Sequence, residues 1–257
     1  MNRLLPLTIA LFLAVSCYGQ IVETVSERFH YKYQRKEQTK EQIQKDNEER
    51  QRNWQKELEE MKAGMVSDNV KIEVQTDVQD NDLFVAVAYE TLVVADAADD
   101  YGLGKYAIEN SNACMLMCGF LKDKLENDLA DLLKQGAKVD VKLTGATDGT
   151  PIRSKIDYKG EYGDFNGKAI TLNGNPYKMT VTQKSGVTTN GQLAFLRTQG
   201  VEHFLKTQVE PLKHTDNTFE AFAVENKEKG GGYRRVSVEM TIRGAFTDVE
   251  PAKTQKP

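Results

Sequence analysis

The chain has 257 residues, 39% of them hydrophobic and 28% charged, with a formal net charge of −4 and a sequence pI near 5.6. That length suits one good-sized domain with extensions. The acidic balance excludes a protein that grips a nucleic-acid backbone, which needs a basic surplus.

The first residues stand apart from the rest. Arg3 supplies a positive start, Leu4 to Val15 form an apolar run, and S-C-Y-G-Q follows with small residues. This is the layout of a secretory signal over residues 1–19. The run is too short for a comfortable transmembrane span. Two processing routes stay open: cleavage after Gly19, leaving Gln20 first, or lipid modification of Cys17, because L-A-V-S-C is similar to a bacterial lipobox. Both take the chain out of the cytoplasm, and a periplasmic or outer-membrane-associated location is expected.

Residues 20–66 are expected to form a charged helical spacer. The stretch from Arg28 to Lys62 has no Pro or Gly and is dominated by Glu, Gln, Lys and Arg, so its helix propensity is high. Its apolar positions (Tyr31, Tyr33, Ile43, Trp54, Leu58, Met61) make no sustained heptad, which predicts a solvated helix. From Val70, V-K-I-E-V and L-F-V-A-V-A-Y alternate on either side of D-V-Q-D-N-D, a pattern for two strands and a polar turn. Asp77, Asp80 and Asp82 lack the order of a calcium loop, as do Asp96, Asp99 and Asp100. Both clusters are read as solvated turns.

An amphipathic helix is predicted over residues 111–135, with Met117, Phe120, Leu121, Leu125, Leu129, Leu132 and Leu133 at helical spacing and Gly136 as its stop. Cys114 and Cys118 share one face of it and are read as small buried side chains. No His cluster or C-x-x-C adds metal ligands, so no metal and no cofactor is expected. Next comes the strand K-V-D-V-K-L-T, with Val139, Val141 and Leu143 on one face, and then T-G-A-T-D-G-T-P, good turn chemistry. In residues 151–189, K-A-I-T-L and Y-K-M-T-V flank N-G-N-P, which predicts an inserted hairpin. A second helix carries Leu193, Leu196, Gly200 and Phe204 on one stripe, with Glu202 and His203 on its solvent side. A loop through G-G-G leads to a last strand with Val236, Val238, Met240 and Ile242 facing one way. The tail 247–257 is polar.

This order predicts an α+β fold: a two-layer domain over residues 67–246, helices packed on one face of a mixed β-sheet. It would carry an inserted β-hairpin and an N-terminal helical extension.

Three pieces in this order, V-K-L-T-G-A-T-D-G, N-G-Q-L-A-F-L-R-T-Q-G-V-E-H-F-L and R-R-V-S-V-E-M, resemble the OmpA-like peptidoglycan-binding domain family. The resemblance covers roughly residues 110–243. It implies a ligand site at Asp148 with the preceding Thr147, at Asn190, and at Arg197, with Arg234 and Arg235 on the family's R-R pair. Because those two arginines alternate along a strand, at most one faces the site. In the family the Asp and Arg hold the free end of diaminopimelate on a peptidoglycan stem peptide. The expected chemistry is an aspartate on the ammonium and a guanidinium on the carboxylate through two parallel hydrogen bonds. Ala194, Thr198 and Tyr233 depart from the family pattern, and the interval from Asp148 to Asn190 is far longer.

The expected function is therefore non-covalent peptidoglycan binding at the cell envelope, with the stem peptide as partner and no nucleic acid. Further envelope or outer-membrane proteins could dock on the helical spacer or the insertion. The alternative is a remodelled OmpA-like scaffold that serves as a protein-interaction or assembly module. No G-x-S-x-G, H-E-x-x-H or phosphate-cradling glycine loop occurs, and no enzyme is expected.

Overall fold

The computed structural model describes residues 37–91, 99–134 and 136–248. The signal segment, Cys17, Asp96 and residues 249–257 lie outside the described residues. In chain order the elements are β1 (Glu37–Gln38), α1 (Lys40–Lys62), β2 (Val70–Gln79), β3 (Asp82–Thr91), α2 (Asn112–Asp123), a π-helical turn (Lys124–Asp128) and α3 (Ala130–Lys134). There follow β4 (Lys138–Thr147), β5 (Phe165–Leu172), β6 (Asn175–Val181), α4 (Asn190–Gln208), α5 (Glu210–Lys213), β7 (Asn217–Glu225), β8 (Val236–Arg243) and β9 (Thr247–Asp248).

Seven strands form one mixed sheet in the order β2-β3-β8-β4-β7-β5-β6. β7 pairs parallel with both β4 and β5, and the remaining pairs are antiparallel. Val139, Val141 and Leu143 of β4 and Val236, Val238, Met240 and Ile242 of β8 are buried beneath the helices. The intervening residues, such as Lys142 and Glu239, form ion pairs on the open face. The expected two-layer α+β arrangement is thus present, with four differences.

The first concerns the N-terminal helix. Thr39 and Gln42 cap α1 reciprocally, a strong local start signal. The helix is no solvated spacer: Ile43, Asn47, Arg50, Trp54, Glu57, Leu58 and Met61 are buried in one stripe. It lies along β2, the sheet's edge. There Val74 N–H donates to Gln55 Oε1 (3.0 Å), Gln55 Nε2 donates to Ile72 O (3.2 Å), and Asn47 Nδ2 donates to Thr76 O (3.1 Å). Side-chain amides thus stand in for a missing strand and cover an edge otherwise open to pairing.

The second concerns the segment 217–225, read from the sequence as loop. It is β7, at the centre of the sheet. The residues fully buried on its helix-facing side are Ala221 and Ala223, where α4 lies close over the sheet, while Phe219 on the same side is half-buried beneath Lys206 of α4. Gly145 on the neighbouring β4 shows the same crowding: a Cβ there would collide with the carbonyl oxygen of Ala194. The third concerns the hairpin β5–β6, which joins the sheet through Thr171 and Leu172 pairing with β7 rather than standing apart from it. Phe165 packs edge-on against Phe195 of α4. Lys168 reaches Glu202, which is buried in that ion pair and not on the solvent face.

The predicted helix 111–135 also breaks. The π turn at Lys124–Asp128 inserts an extra residue into its middle, as π-bulges do. It places Lys124 inside the protein, 2.6 Å from Glu57 of α1, 2.8 Å from Asp123 and 3.4 Å from Asp128. Trp54 Nε1 donates to Asp128 (2.6 Å). This ionic knot fastens α1 to the body. Cys114 and Cys118 are buried free thiols on α2, as expected.

Candidate functional site

Strand register brings distant segments to one end of the sheet. Gly145 of β4 and Ala88 of β3 lie opposite Val236 and Ser237 at the start of β8. The chain leaving β3, the turn after β4 and the chain entering β8 therefore meet there. The N-terminus of α4 joins them: Asn190 Nδ2 donates to the carbonyls of Asp148 (3.0 Å) and Thr150 (3.1 Å). Asn190 thus clamps the Thr147–Pro151 turn to α4, and its amide is spent on backbone. Thr147 turns its hydroxyl back toward Val224 O, while its carbonyl accepts from Asn226. Both residues hold the site's frame.

Asp148 is 5% exposed. Its Oδ2 accepts from the Thr150 hydroxyl (2.8 Å) and from Gly230 N–H (3.2 Å). Among the described residues none donates a hydrogen bond to Oδ1.

Arg197 corrects an expectation. It was to present its guanidinium edge to a ligand, but it is fully buried. Its Nε and Nη2 both donate to Lys105 O (3.1 and 3.0 Å), and Nη1 donates to Ala146 O (2.5 Å). The side chain lies 4.5 Å from the ring centre of Tyr101, a cation–π contact in a desolvated place. The edge that would grip a carboxylate is filled by a backbone carbonyl. Three of the five guanidinium N–H groups are committed, and two are left over. Burial pulls its pKa down to about 10, so it stays charged at neutral pH.

Two further charges complete the cluster. Asp100, part of a solvated turn in the sequence reading, is 1% exposed, and among the described residues neither carboxylate oxygen has a hydrogen-bond donor. Its nearest cation is Arg234, with Nη2 3.7 Å from Oδ2. Arg234 Nε is likewise buried without an acceptor. Burial pushes the Asp100 carboxyl upward; Arg234 and then Arg197 oppose that, while Asp99 and Asp148 add to it. Arg235, the other half of the pair, faces outward to Glu90, as strand alternation requires. Asp100, Asp148, Arg197 and Arg234 therefore form one buried group of two anions and two cations within electrostatic reach of one another. Asp100 was hard to find from sequence, because D-D-Y-G reads as turn chemistry; only the convergence of strand ends identifies it.

The chemistry such a group offers is polar and neutral overall. It leaves free acceptors on Asp100 and Asp148 and free donors on Arg234 and Arg197. Among the described residues no group of three or more His, Cys, Asp or Glu is placed to hold a metal ion, and no helix is long and apolar enough to cross a membrane.

Compared with known proteins, the chain is similar in structure to the OmpA-like domain of FopA1 from Francisella tularensis subsp. tularensis SCHU S4. The identity is 14% and the TM-score 0.27, over 66% of this chain and 80% of that one. No residue correspondence follows from so distant a likeness. No family model matches the chain, and no curated protein does.

Proposed function

We propose that this protein is an exported, non-enzymatic component of the bacterial cell envelope that binds peptidoglycan non-covalently. Its ligand would be the zwitterionic end of a diaminopimelate stem peptide, held at the cluster of Asp100, Asp148, Arg197 and Arg234. The observation that carries this reading is Asp100: a buried carboxylate with no hydrogen-bond donor among the described residues. Leaving a buried charged acceptor unmet costs several kcal/mol unless something supplies its bonds. An ammonium supplies them. Asp148 Oδ1 is a second acceptor for it, and Arg234 Nε a donor for the neighbouring carboxylate. Arg197 shapes the site through Lys105 and Ala146 and contributes its remaining N–H groups. The order of T-G-A-T-D-G, L-A-F-L-R and R-R-V in the sequence supports the same reading.

The test is co-sedimentation with purified sacculi for the wild type, Asp148→Asn, Asp100→Asn and Arg234→Gln, each checked for an intact thermal transition. Each charge-assisted contact is worth about 1.5–3 kcal/mol, so each variant should bind at least about tenfold more weakly. Folded variants that bind as well as wild type would refute the assignment of the site. A second reading, a remodelled scaffold for protein interaction or envelope assembly, is favoured by the enclosure of the Arg197 guanidinium by two backbone carbonyls. A folded wild type that leaves sacculi untouched would decide for it.

A further inference from the structure

Asp100 and Asp148 have unspent hydrogen-bonding capacity yet almost no exposed surface. What covers them is the β7–β8 connection, N-K-E-K-G-G-G, residues 226–232. From Asn226 to Gly232 it offers no apolar side chain to the core. It is tied down at the end of β4 and its turn: Asn226 N and Nδ2 both donate to Thr147 O (2.9 Å each), Gly149 N–H donates to Glu228 O (2.7 Å), and Gly230 N–H donates to Asp148 Oδ2 (3.2 Å). Gly231 is seated directly on Asp100, where a Cβ would overlap Oδ2.

We propose that residues 226–232 are a lid over the two carboxylates of the charged site, latched by Asp148, the carboxylate that also receives the ligand. The proposal rests on the binding reading above. With the lid down, Gly231 occupies the approach to Asp100 and Gly230 takes up Asp148 Oδ2. The loop has to lift before an ammonium reaches either carboxylate, and an ammonium on Asp148 competes with the Gly230 N–H that holds the lid closed. A segment held by few hydrogen bonds and no buried apolar anchor belongs to the low-stability end of a fold. The apparent affinity then scales with the fraction of molecules in which the lid is open.

This makes an unusual demand: loosening the lid should tighten binding. Asn226→Ala removes the Nδ2 tether to Thr147 and touches none of the charged residues. By the net worth of one hydrogen bond, it should improve the apparent Kd for a soluble diaminopimelate stem peptide by about fivefold. Calorimetric titration of wild type and Asn226→Ala reads this directly. Unchanged or weaker binding by the variant overturns the lid.

Hydrogen exchange on the ligand-free protein reads the lid without any ligand. The amides of Gly149, Asn226 and Gly230 should lose protection together and well before those of Val141 and Val238 in the sheet. If they exchange only with the sheet, the lid is overturned whatever binds. If they open together but neither protein binds stem peptide, the binding reading fails and the lid stands.

Discussion

Glu57 is a carboxylate whose ionisation the structure clearly disturbs. It sits on α1, 1% exposed, against Lys124. Burial pushes its carboxyl from an ordinary 4.5 to about 7. Lys124 opposes that shift, while Asp123 and Asp128 add to it. Because the folded pKa lies above the unfolded one, the folded state binds the proton more tightly. Stability is therefore fully present below about pH 4.5 and falls as the pH rises through 7. The interval from 4.5 to about 7, at about 1.4 kcal/mol per pH unit, bounds the loss at roughly 3 kcal/mol. The residue to change is Glu57 itself. Glu57→Gln keeps the shape and removes the charge, so its urea midpoint should show no such loss. The variant should match wild type near pH 4.5 and exceed it by up to about 3 kcal/mol near pH 8.5. Taking the difference between the two curves cancels the titrating groups remote from Glu57; Lys124 and Asp128, coupled to it and both also shifted upward, remain part of the difference. A difference curve flat from pH 4.5 to 8.5, or a variant weaker than wild type at pH 8.5, would refute the argument.

Three further substitutions test the packing. Arg197→Met leaves the carbonyls of Lys105 and Ala146 without their donor, and a loss of about 3 kcal/mol or more in denaturant unfolding is expected. Lysine should not rescue it, having no planar fork. Gly145→Ala forces a methyl into the Ala194 carbonyl beneath α4 and should cost about 1–3 kcal/mol in the same assay; a cost below about 0.5 kcal/mol would show that α4 can move away. Trp54→Phe keeps most of the ring but loses the hydrogen bond to Asp128, worth about 1.5–3 kcal/mol for a charged acceptor. Its thermal midpoint should drop while secondary structure by circular dichroism stays the same.

Several elements were readable from residue pattern alone because their buried sides are uniformly apolar. β4 and β8 alternate Val, Leu, Met and Ile on the inner face, and the stripe of α2 and α3 is built of Leu, Met and Phe. Where the pattern misled, polar or small residues did an apolar residue's task. The buried stripe of α1 recurs at helical spacing through 43, 47, 50, 54, 57, 58 and 61, but Asn47, Arg50 and Glu57 interrupt it. Their burial depends on partners far along the chain, Thr76 and Lys124, which local periodicity cannot supply. β7 was hidden for the opposite reason, since the part of its inner face fitted under α4 is only Ala221 and Ala223, with Phe219 half-buried beside them. At the site, motif order brought Asp148 and Arg197 into one cluster. It did not reveal that Lys105 would take the guanidinium edge, or that Asp100 would arrive from the β3 side.

The two buried ionic groups of this protein show why one is read as a fastening and the other as a site. Around Lys124 the charges are met largely from within: the ammonium lies within 3.4 Å of three carboxylates, Asp128 takes the Trp54 N–H, and Asp123 takes the Asn127 amide on Oδ1, while its Oδ2 has no hydrogen bond but an ion pair at 2.8 Å. Such a knot has little left to offer a ligand, and its surplus carboxylate is accommodated by raising the pKa of Glu57. At the end of β4 the bookkeeping is different. Two anions and two cations lie together, yet Asp100 has only one ion pair at 3.7 Å, and Arg234 Nε has no acceptor. The desolvation cost has been met there without the hydrogen bonds that would offset it. Evolution tolerates that deficit where a bound molecule makes it good. On the proposed reading, a zwitterion would do so with one ammonium and one carboxylate, leaving the site neutral before and after. Full occupancy should therefore raise the unfolding midpoint with ligand concentration at constant pH, whereas no small zwitterion should alter the Lys124 knot.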